Sequence, residues 1–125
     1  MTSNLEFCVS LTTIPPRFIS IKKTIDSLNL QTQKPDKIFL NIPTKFRRFS
    51  QIKYDFSKLK EIYDNLEIVD CEDFGPGTKI LGSIKKIMDY KFVVLVDDDH
   101  VYDKNMLRLF HDHAKKNLDK AYSFC

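Results

Sequence analysis

Two kinds of apolar pattern take turns along this chain. Short runs of β-forming residues recur, and between them lie stretches whose apolar residues fall at helical intervals. Glu6 to Leu11 (Glu-Phe-Cys-Val-Ser-Leu) predicts a first strand that runs into Thr12-Thr13-Ile14-Pro15-Pro16-Arg17, a loop stiffened by two prolines. Ile21, Ile25 and Leu28 predict a helix capped near Ser20 and stopped around Gln31 to Lys34, before Pro35. Lys37 to Ile42 reads as a second strand closed by Pro43. Thr44 to Phe56 shows no period and carries Lys45, Arg47, Arg48 and Lys53, so it reads as a loop. Ser57 can cap a short helix with Leu59, Ile62 and Tyr63 on its face, and Leu66 to Asp70 is a third strand. Cys71 to Gly77 is a loop with the turn residues Phe74-Gly75-Pro76-Gly77.

The cleanest helical stripe follows: Ile80, Leu81, Ile84, Ile87 and Met88, with Thr78 as N-cap. Phe92-Val93-Val94-Leu95-Val96 is a continuous apolar run, the pattern of a strand buried on both faces. A helix from about Asp103 to Asn117 places Leu107, Phe110, Ala114 and Leu118 on one side, and Ala121 to Cys125 begins a fifth strand. Strands alternating with helices imply βαβ crossovers. The fold class is therefore α/β: a three-layer, open, mainly parallel sheet of four to five strands with helices on both faces, Rossmann-like.

Composition narrows the class. The chain has 125 residues, the size of a single domain, with 42% hydrophobic and 30% charged residues. Its formal charge of +3 suits a polyanionic ligand such as a nucleotide, but the Lys/Arg pairs are too sparse for a nucleic-acid surface. The three cysteines, Cys8, Cys71 and Cys125, have no metal-ligand spacing, and a reducing, cytoplasmic setting fits them. No stretch reaches the ~18 apolar residues of a membrane span, and no signal peptide is visible.

The candidate chemistry gathers at strand ends. Asp97-Asp98-Asp99-His100 follows the fourth strand directly. Three adjacent carboxylates repel unless a cation, a hydrogen-bond network or water takes up their charge. In a parallel sheet the carboxyl ends of strands one, three and four bring Thr12-Thr13, Asp70/Asp73 and the acids to one edge, where ligands bind in such folds. Mg²⁺ and Mn²⁺ take oxygen ligands from one or two carboxylates plus substrate phosphates. Asp97 and Asp99 are the expected metal pair and Asp98 a supporting residue, the alternative being a solvated acidic turn. His100 is expected to hydrogen-bond the acids, and His111 and His113 to lie on the surface. Gly75-Pro76-Gly77-Thr78-Lys79 and Arg17 are candidates for phosphate, although neither the P-loop nor the Gly-x-Gly-x-x-Gly pattern is present.

Several of these segments together resemble a known family. They are Val9-Ser10-Leu11-Thr12-Thr13-Ile14-Pro15-Pro16-Arg17-Phe18, Ser27-Leu28, Gln31-Thr32-Gln33-Lys34-Pro35-Asp36-Lys37-Ile38, Asn41-Ile42-Pro43, Asp73-Phe74-Gly75-Pro76-Gly77-Thr78-Lys79 and Val96-Asp97-Asp98-Asp99-His100-Val101-Tyr102. In this order they resemble the start of a family-2-like glycosyltransferase domain of the GT-A type. The resemblance implies the nucleotide-sugar-binding half of such a domain, with Mn²⁺ or Mg²⁺ held by the Asp-x-Asp motif at Asp97 and Asp99. It implies Thr12, Thr13, Pro15, Arg17, Asn41, Asp73, Lys79, Asp97 and Asp98 around a nucleotide-sugar donor, typically a UDP-sugar. It also implies that residues 1–125 are truncated relative to a full GT-A domain, which supplies the acceptor site and catalytic base from its second half. Asn41 stands where many members carry an acid for the base.

Two other readings compete. A nucleotidyltransferase-like enzyme also places acids around a metal and a nucleotide, but would show a Gly-rich basic loop after strand one. A non-catalytic nucleotide- or metal-binding module is the other, and a receiver-like pocket is disfavoured because strand one ends in Thr12-Thr13 instead of acids. An unfinished sheet edge could be covered by a second copy, giving a homo-oligomer.

Overall fold

Each apolar run of the sequence becomes a parallel strand of one sheet. The computed structural model describes residues 7–43, 56–73, 77–116 and 122–123. The strands are β1 (Phe7–Thr12), β2 (Lys37–Pro43), β3 (Leu66–Cys71), β4 (Phe92–Leu95) and β5 (Tyr122–Ser123). Their order is β3-β2-β1-β4-β5, with every neighbouring pair parallel. A 3₁₀ turn spans Pro15–Arg17, and the helices are α1 (Ile21–Asn29), α2 (Ser57–Ile62), α3 (Thr78–Leu81), α4 (Ile84–Ile87) and α5 (Met106–Lys116). The expected open, parallel α/β sheet with helices on both faces is what the chain forms.

Strand alternation divides the core in two. Phe7, Val9 and Leu11 of β1, Ile38, Leu40 and Ile42 of β2, and Phe92 and Val94 of β4 face one side. There they meet Ile21, Ile25 and Leu28 of α1, Leu59 of α2, and Met106, Leu107 and Ala114 of α5. Each such aliphatic or aromatic side chain contributes roughly 1.5–3 kcal/mol by leaving water. Among the described residues the opposite face is thinner: Cys8, Phe39, Val69 and Ile87 form its buried cluster, with Tyr90 and Val93 against it.

The strongest helical stripe of the sequence does not form one helix. It is two four-residue helices, α3 and α4, broken at Gly82-Ser83. The cause lies in the sheet beneath. Gly82 sits so close to β2 that a Cβ there would stand 2.8 Å from Asn41 Cβ and 2.7 Å from the Thr78 carbonyl oxygen. Ser83 Oγ lies 3.4 Å from Ser10 Oγ of β1, both buried. Close approach and a buried hydroxyl pair set the chain path here, over the apolar period. Leu81, Ile84 and Met88 are consequently exposed, and only Ile87 of the stripe is shown buried.

Smaller differences have equally local causes. Ile62, expected on the buried face of α2, is exposed, whereas Leu59 and Tyr63 are buried. Ser20 stands at the N-cap of α1, but its hydroxyl donates to the Arg17 carbonyl instead of capping the helix. Gly77 takes the N-cap position of α3, and Thr78 is its first residue. His111, expected on the surface, is 2% exposed, with its ring against Phe7 and Phe92 at centroid distances of 5.9 and 6.1 Å. His113 is exposed as expected. The expected basic loop 44–56 lies, apart from Phe56, outside the described residues, as do Phe74, Gly75, Pro76 and Leu118.

Sheet order and helix placement also fix the relative hand of the connections. β1 to β2 and β2 to β3 step one way with α1 and α2 on the thick face, while β3 to β4 steps back with α3 and α4 on the thin face. These share one hand, and crossovers of this kind are right-handed. β4 to β5 steps the same way as β3 to β4, yet α5 packs on the thick face. That last connection therefore has the opposite hand, and it leaves β4 lightly covered on the thin face, where Val93 and Leu95 are half-buried.

Candidate functional site

The direction of strand order reverses between β1 and β4. From β1 the chain lays β2 and β3 on one flank, then returns to place β4 on the other. At such a switch point the loops leaving the two adjacent strands diverge and open a crevice at their carboxyl ends, where ligands bind in open α/β sheets. The loops concerned are Thr13 to Arg17 after β1 and Val96 to His100 after β4.

They are joined side chain to side chain. Thr13 Oγ1 donates to Asp98 Oδ2 at 2.5 Å, and Arg17 Nε lies 3.2 Å from the same oxygen. Arg17 Nη1 reaches Asp99 Oδ2 at 3.4 Å. Thr13 and Asp98 are buried, at 1% and 4% exposure. A buried carboxylate is costly unless it is paired and hydrogen-bonded, and here it is both. From below, Thr24 of α1 donates to the Asp98 carbonyl at 2.9 Å. Pro15 is buried and holds the backbone of the 3₁₀ turn from which Arg17 projects.

Tyr102 fixes the start of the acid run. Its hydroxyl accepts from the Asp97 N–H at 2.8 Å and donates to the Asp97 carbonyl at 3.0 Å. Burial pushes the phenol up to about 12, and the carboxylates of Asp97, Asp99 and Asp98 add to this. Asp99 is the exposed member. The hydrogen bond with His100 Nδ1, 2.7 Å from Asp99 Oδ1, holds its carboxyl below the ordinary carboxylate value; the charges of His100 and Arg17 act in the same direction. His100 thus binds an acid, as its sequence position suggests, and its ring stacks on Tyr102 at 5.7 Å. Behind the loop, Gln31 clamps three backbone groups. Its amide donates to the Ser27 and Asp103 carbonyls at 2.9 and 2.7 Å and accepts from Leu107 N–H at 3.0 Å. A groove of about 380 Å³ runs beside it, between α1 and the acid loop, with Leu30, Val101 and Tyr102 among its lining.

The residues named from sequence therefore fall into groups. Thr13, Arg17, Asp98 and Asp99 are brought together, with Pro15 supporting them and Asp97 held by Tyr102. Asn41 is not at the crevice mouth. It is fully buried, donating to Ser10 Oγ at 3.0 Å and the Leu11 carbonyl at 3.2 Å under Gly82. Thr12 donates to the Asn41 carbonyl at 2.7 Å and so ties β1 to β2. Asp73 follows β3, two strands from β1 and so roughly 10 Å or more along the sheet edge. There it raises the half-buried Cys71 thiol, which burial first and Asp70 next push up to about 11. Lys79 is in α3, its side chain outside what is described. Thr24, Gln31 and Tyr102 were not singled out for the site from sequence. A hydroxyl on a helix, as in Thr24, or an amide just past a helix end, as in Gln31, gives no pattern signal, although Tyr102, two residues past His100, stands close enough to the acids to be suspected.

The donor set suits a hard divalent cation only in part. Among the described residues, no group of three or more His, Cys, Asp or Glu side chains converges to hold a metal. Asp98 and Asp99 present carboxylate oxygens, one buried and one open, and the positive charge standing between them is Arg17. One or two carboxylates completed by phosphate oxygens and water are an ordinary Mg²⁺ or Mn²⁺ arrangement. Asp99, the open one, fits that requirement when the ligand brings the remaining oxygens, whereas Asp98 is already taken up by Thr13 and Arg17. Among the described residues no helix is long and apolar enough to cross a membrane. Comparison with protein-family models and with curated proteins finds no match for this chain.

Proposed function

We propose that the β1–β4 crevice binds the diphosphate of a nucleotide-sugar, a UDP-sugar first among them, and that the chain is the donor-binding part of a glycosyltransferase. The observation that carries this reading is the meeting of Thr13 and Arg17 with Asp98 and Asp99 at the point where strand order reverses. It places an acid run and an arginine where a diphosphate and its counter-ion would both have partners. The sequence resemblance to GT-A glycosyltransferases points the same way.

In this reading Asp99, open and held ionised, and Asp97 face a divalent cation, Mn²⁺ or Mg²⁺, while Asp98 is the buried post that joins the two loops. The cation, when bound, neutralises the diphosphate as the sugar's C1–O bond breaks. Thr13 and Pro15 shape the wall of the crevice on the β1 side. Tyr102 and Thr24 keep the acid backbone in place, so the carboxylates meet the ligand without rearranging.

Thermal-shift measurements on the intact chain test this. UDP with Mn²⁺ should raise the melting temperature by several degrees, neither alone should match it, and Asp99→Ala should abolish the shift. Absence of stabilisation by any nucleoside diphosphate with either metal sinks the reading. A clear preference for a nucleoside triphosphate favours a nucleotidyltransferase-like enzyme. Binding of the donor without transfer or hydrolysis favours a non-catalytic module.

A further inference from the structure

Arg17 stands where a metal ion would have to compete with it. Its guanidinium faces two carboxylates at once, Nε toward Asp98 Oδ2 at 3.2 Å and Nη1 toward Asp99 Oδ2 at 3.4 Å. The contact is close but poorly made. Nε is shielded from solvent, yet its N–H has no hydrogen-bond partner, because the nearest carboxylate oxygen is off its direction. That oxygen already accepts from Thr13 at 2.5 Å. The arginine is thus held by charge at Asp98 and by one long hydrogen bond from its tip, Nη1 to Asp99 Oδ2, and the side chain is 40% exposed. Its backbone is not free. Arg17 closes a 3₁₀ turn led by Pro15 and Pro16, and its N–H donates to the Ile14 carbonyl at 2.8 Å.

A guanidinium keeps its charge at every working pH. A divalent cation bound to Asp99 would lie within a few ångströms of that charge, so the two cannot share the carboxylates at low cost. Phosphate oxygens offer the guanidinium a better-matched, two-pronged partner than the present contact, which is split between two carboxylates.

We infer that Arg17 is the resident counter-ion of Asp98 and Asp99 in the ligand-free protein, and that it passes to the diphosphate when a divalent cation binds at Asp99. Arg17 then acts as a positioning residue that couples metal to donor: each alone binds against it, and together they satisfy it. The coupling is reciprocal, since whatever the metal does for the diphosphate, the diphosphate does for the metal. The inference rests on the reading proposed above and goes beyond it by naming the ligand-free state and the exchange.

The test is a titration of Mn²⁺ into the intact chain, followed by the electron paramagnetic resonance signal of the free ion, with and without UDP. Arg17→Gln removes the charge and keeps a hydrogen-bonding side chain. It should tighten Mn²⁺ binding without UDP by about 1.5- to five-fold, the range expected for losing a partly exposed ionic competitor. At saturating Mn²⁺ it should weaken UDP, so that the enhancement of one ligand by the other shrinks. Arg17→Lys, which keeps the charge but not the fork, should leave Mn²⁺ alone as weak as in the wild type and still lose part of the UDP affinity. It carries the test if the glutamine variant does not fold. Mn²⁺ affinity in Arg17→Gln equal to or below that of the wild type, with UDP still binding the wild type in the presence of Mn²⁺, overturns the exchange and leaves the proposed function standing. Failure of the wild type to bind UDP at any Mn²⁺ concentration removes both.

Discussion

The hydroxyl of Tyr102 touches both backbone polar groups of Asp97, taking a hydrogen bond from its N–H and giving one to its carbonyl. One side-chain atom thereby fixes the first acid just beyond the end of β4. Tyr102→Phe keeps the buried ring and removes both bonds. The expected cost is about 1–3 kcal/mol for taking that partner from two half-buried backbone groups. Chemical denaturation should show it, and UDP–Mn²⁺ stabilisation should weaken along with it.

Thr13→Val tests the link between the two loops. The exchange preserves shape but strips the buried Asp98 carboxylate of its hydroxyl donor. A loss of about 1–3 kcal/mol is expected, seen as a melting temperature lower by several degrees. Equal stability of the valine variant would show that Arg17 alone satisfies Asp98.

Gly82→Ala probes the break between α3 and α4. The new methyl would meet the Thr78 carbonyl oxygen at 2.7 Å and Asn41 Cβ at 2.8 Å, and neither can recede without moving a helix turn or a central strand. Overpacking of this kind costs typically about 1–3 kcal/mol. Helix propensity alone would give the opposite sign, since alanine is favoured over glycine by about 1 kcal/mol in a helix interior. A stabilised variant would therefore mean that the segment straightens into one helix.

Stability should fall at alkaline pH. Burial raises Cys8 from 9.0 to about 12, Cys71 from 9.0 to about 11 and Tyr102 from 10.0 to about 12. Each holds its proton more tightly folded than unfolded. Their contribution is complete below pH 9 for the thiols and 10 for the phenol, and it declines as pH climbs toward 11–12. Melting temperatures between pH 7 and 11 should trace this decline, and Cys8→Ala should flatten it. On the acid side, the Tyr63 hydrogen bond to Asp26 and the His100 bond to Asp99 lower those carboxyls. Both groups are largely solvent-facing, so acid should cost little until pH falls below 3.8.

How far the sequence reached can be read from particular residues. Strands were legible because the parallel sheet buries both faces, which turns Phe92 to Val96 and Lys37 to Ile42 into nearly unbroken apolar runs. The acid run was legible for the same reason, since it ends one of those strands. The α3–α4 break was not. Ile80, Leu81, Ile84 and Ile87 satisfy a helical period, and nothing local announces that Gly82 must slide against Asn41, 41 positions earlier in the chain. Asn41 lies near the end of a strand, where it could face a ligand, and its turn toward Ser10 depends on the neighbouring strand. His111 was avoidable. Leu107, His111 and Ala114 lie at i, i+4 and i+7, the same rule that put Leu107 and Ala114 inside.

The pairing across the crevice has a consequence for the order of folding. β1 meets β2, and β2 meets β3, at separations of about 28–29 residues, whereas Thr13 reaches Asp98 across 85 positions. Closing the longer loop costs somewhat more entropy, and it returns nothing until β4 has docked beside β1. A chain that folds under these costs would zip β1, α1 and β2 early and add β4 afterwards. The acid crevice would then be among the last parts of the molecule to exist. Slowing of folding by Val94→Ala in β4, set against Leu40→Ala in β2, would read that sequence of events directly from the kinetics.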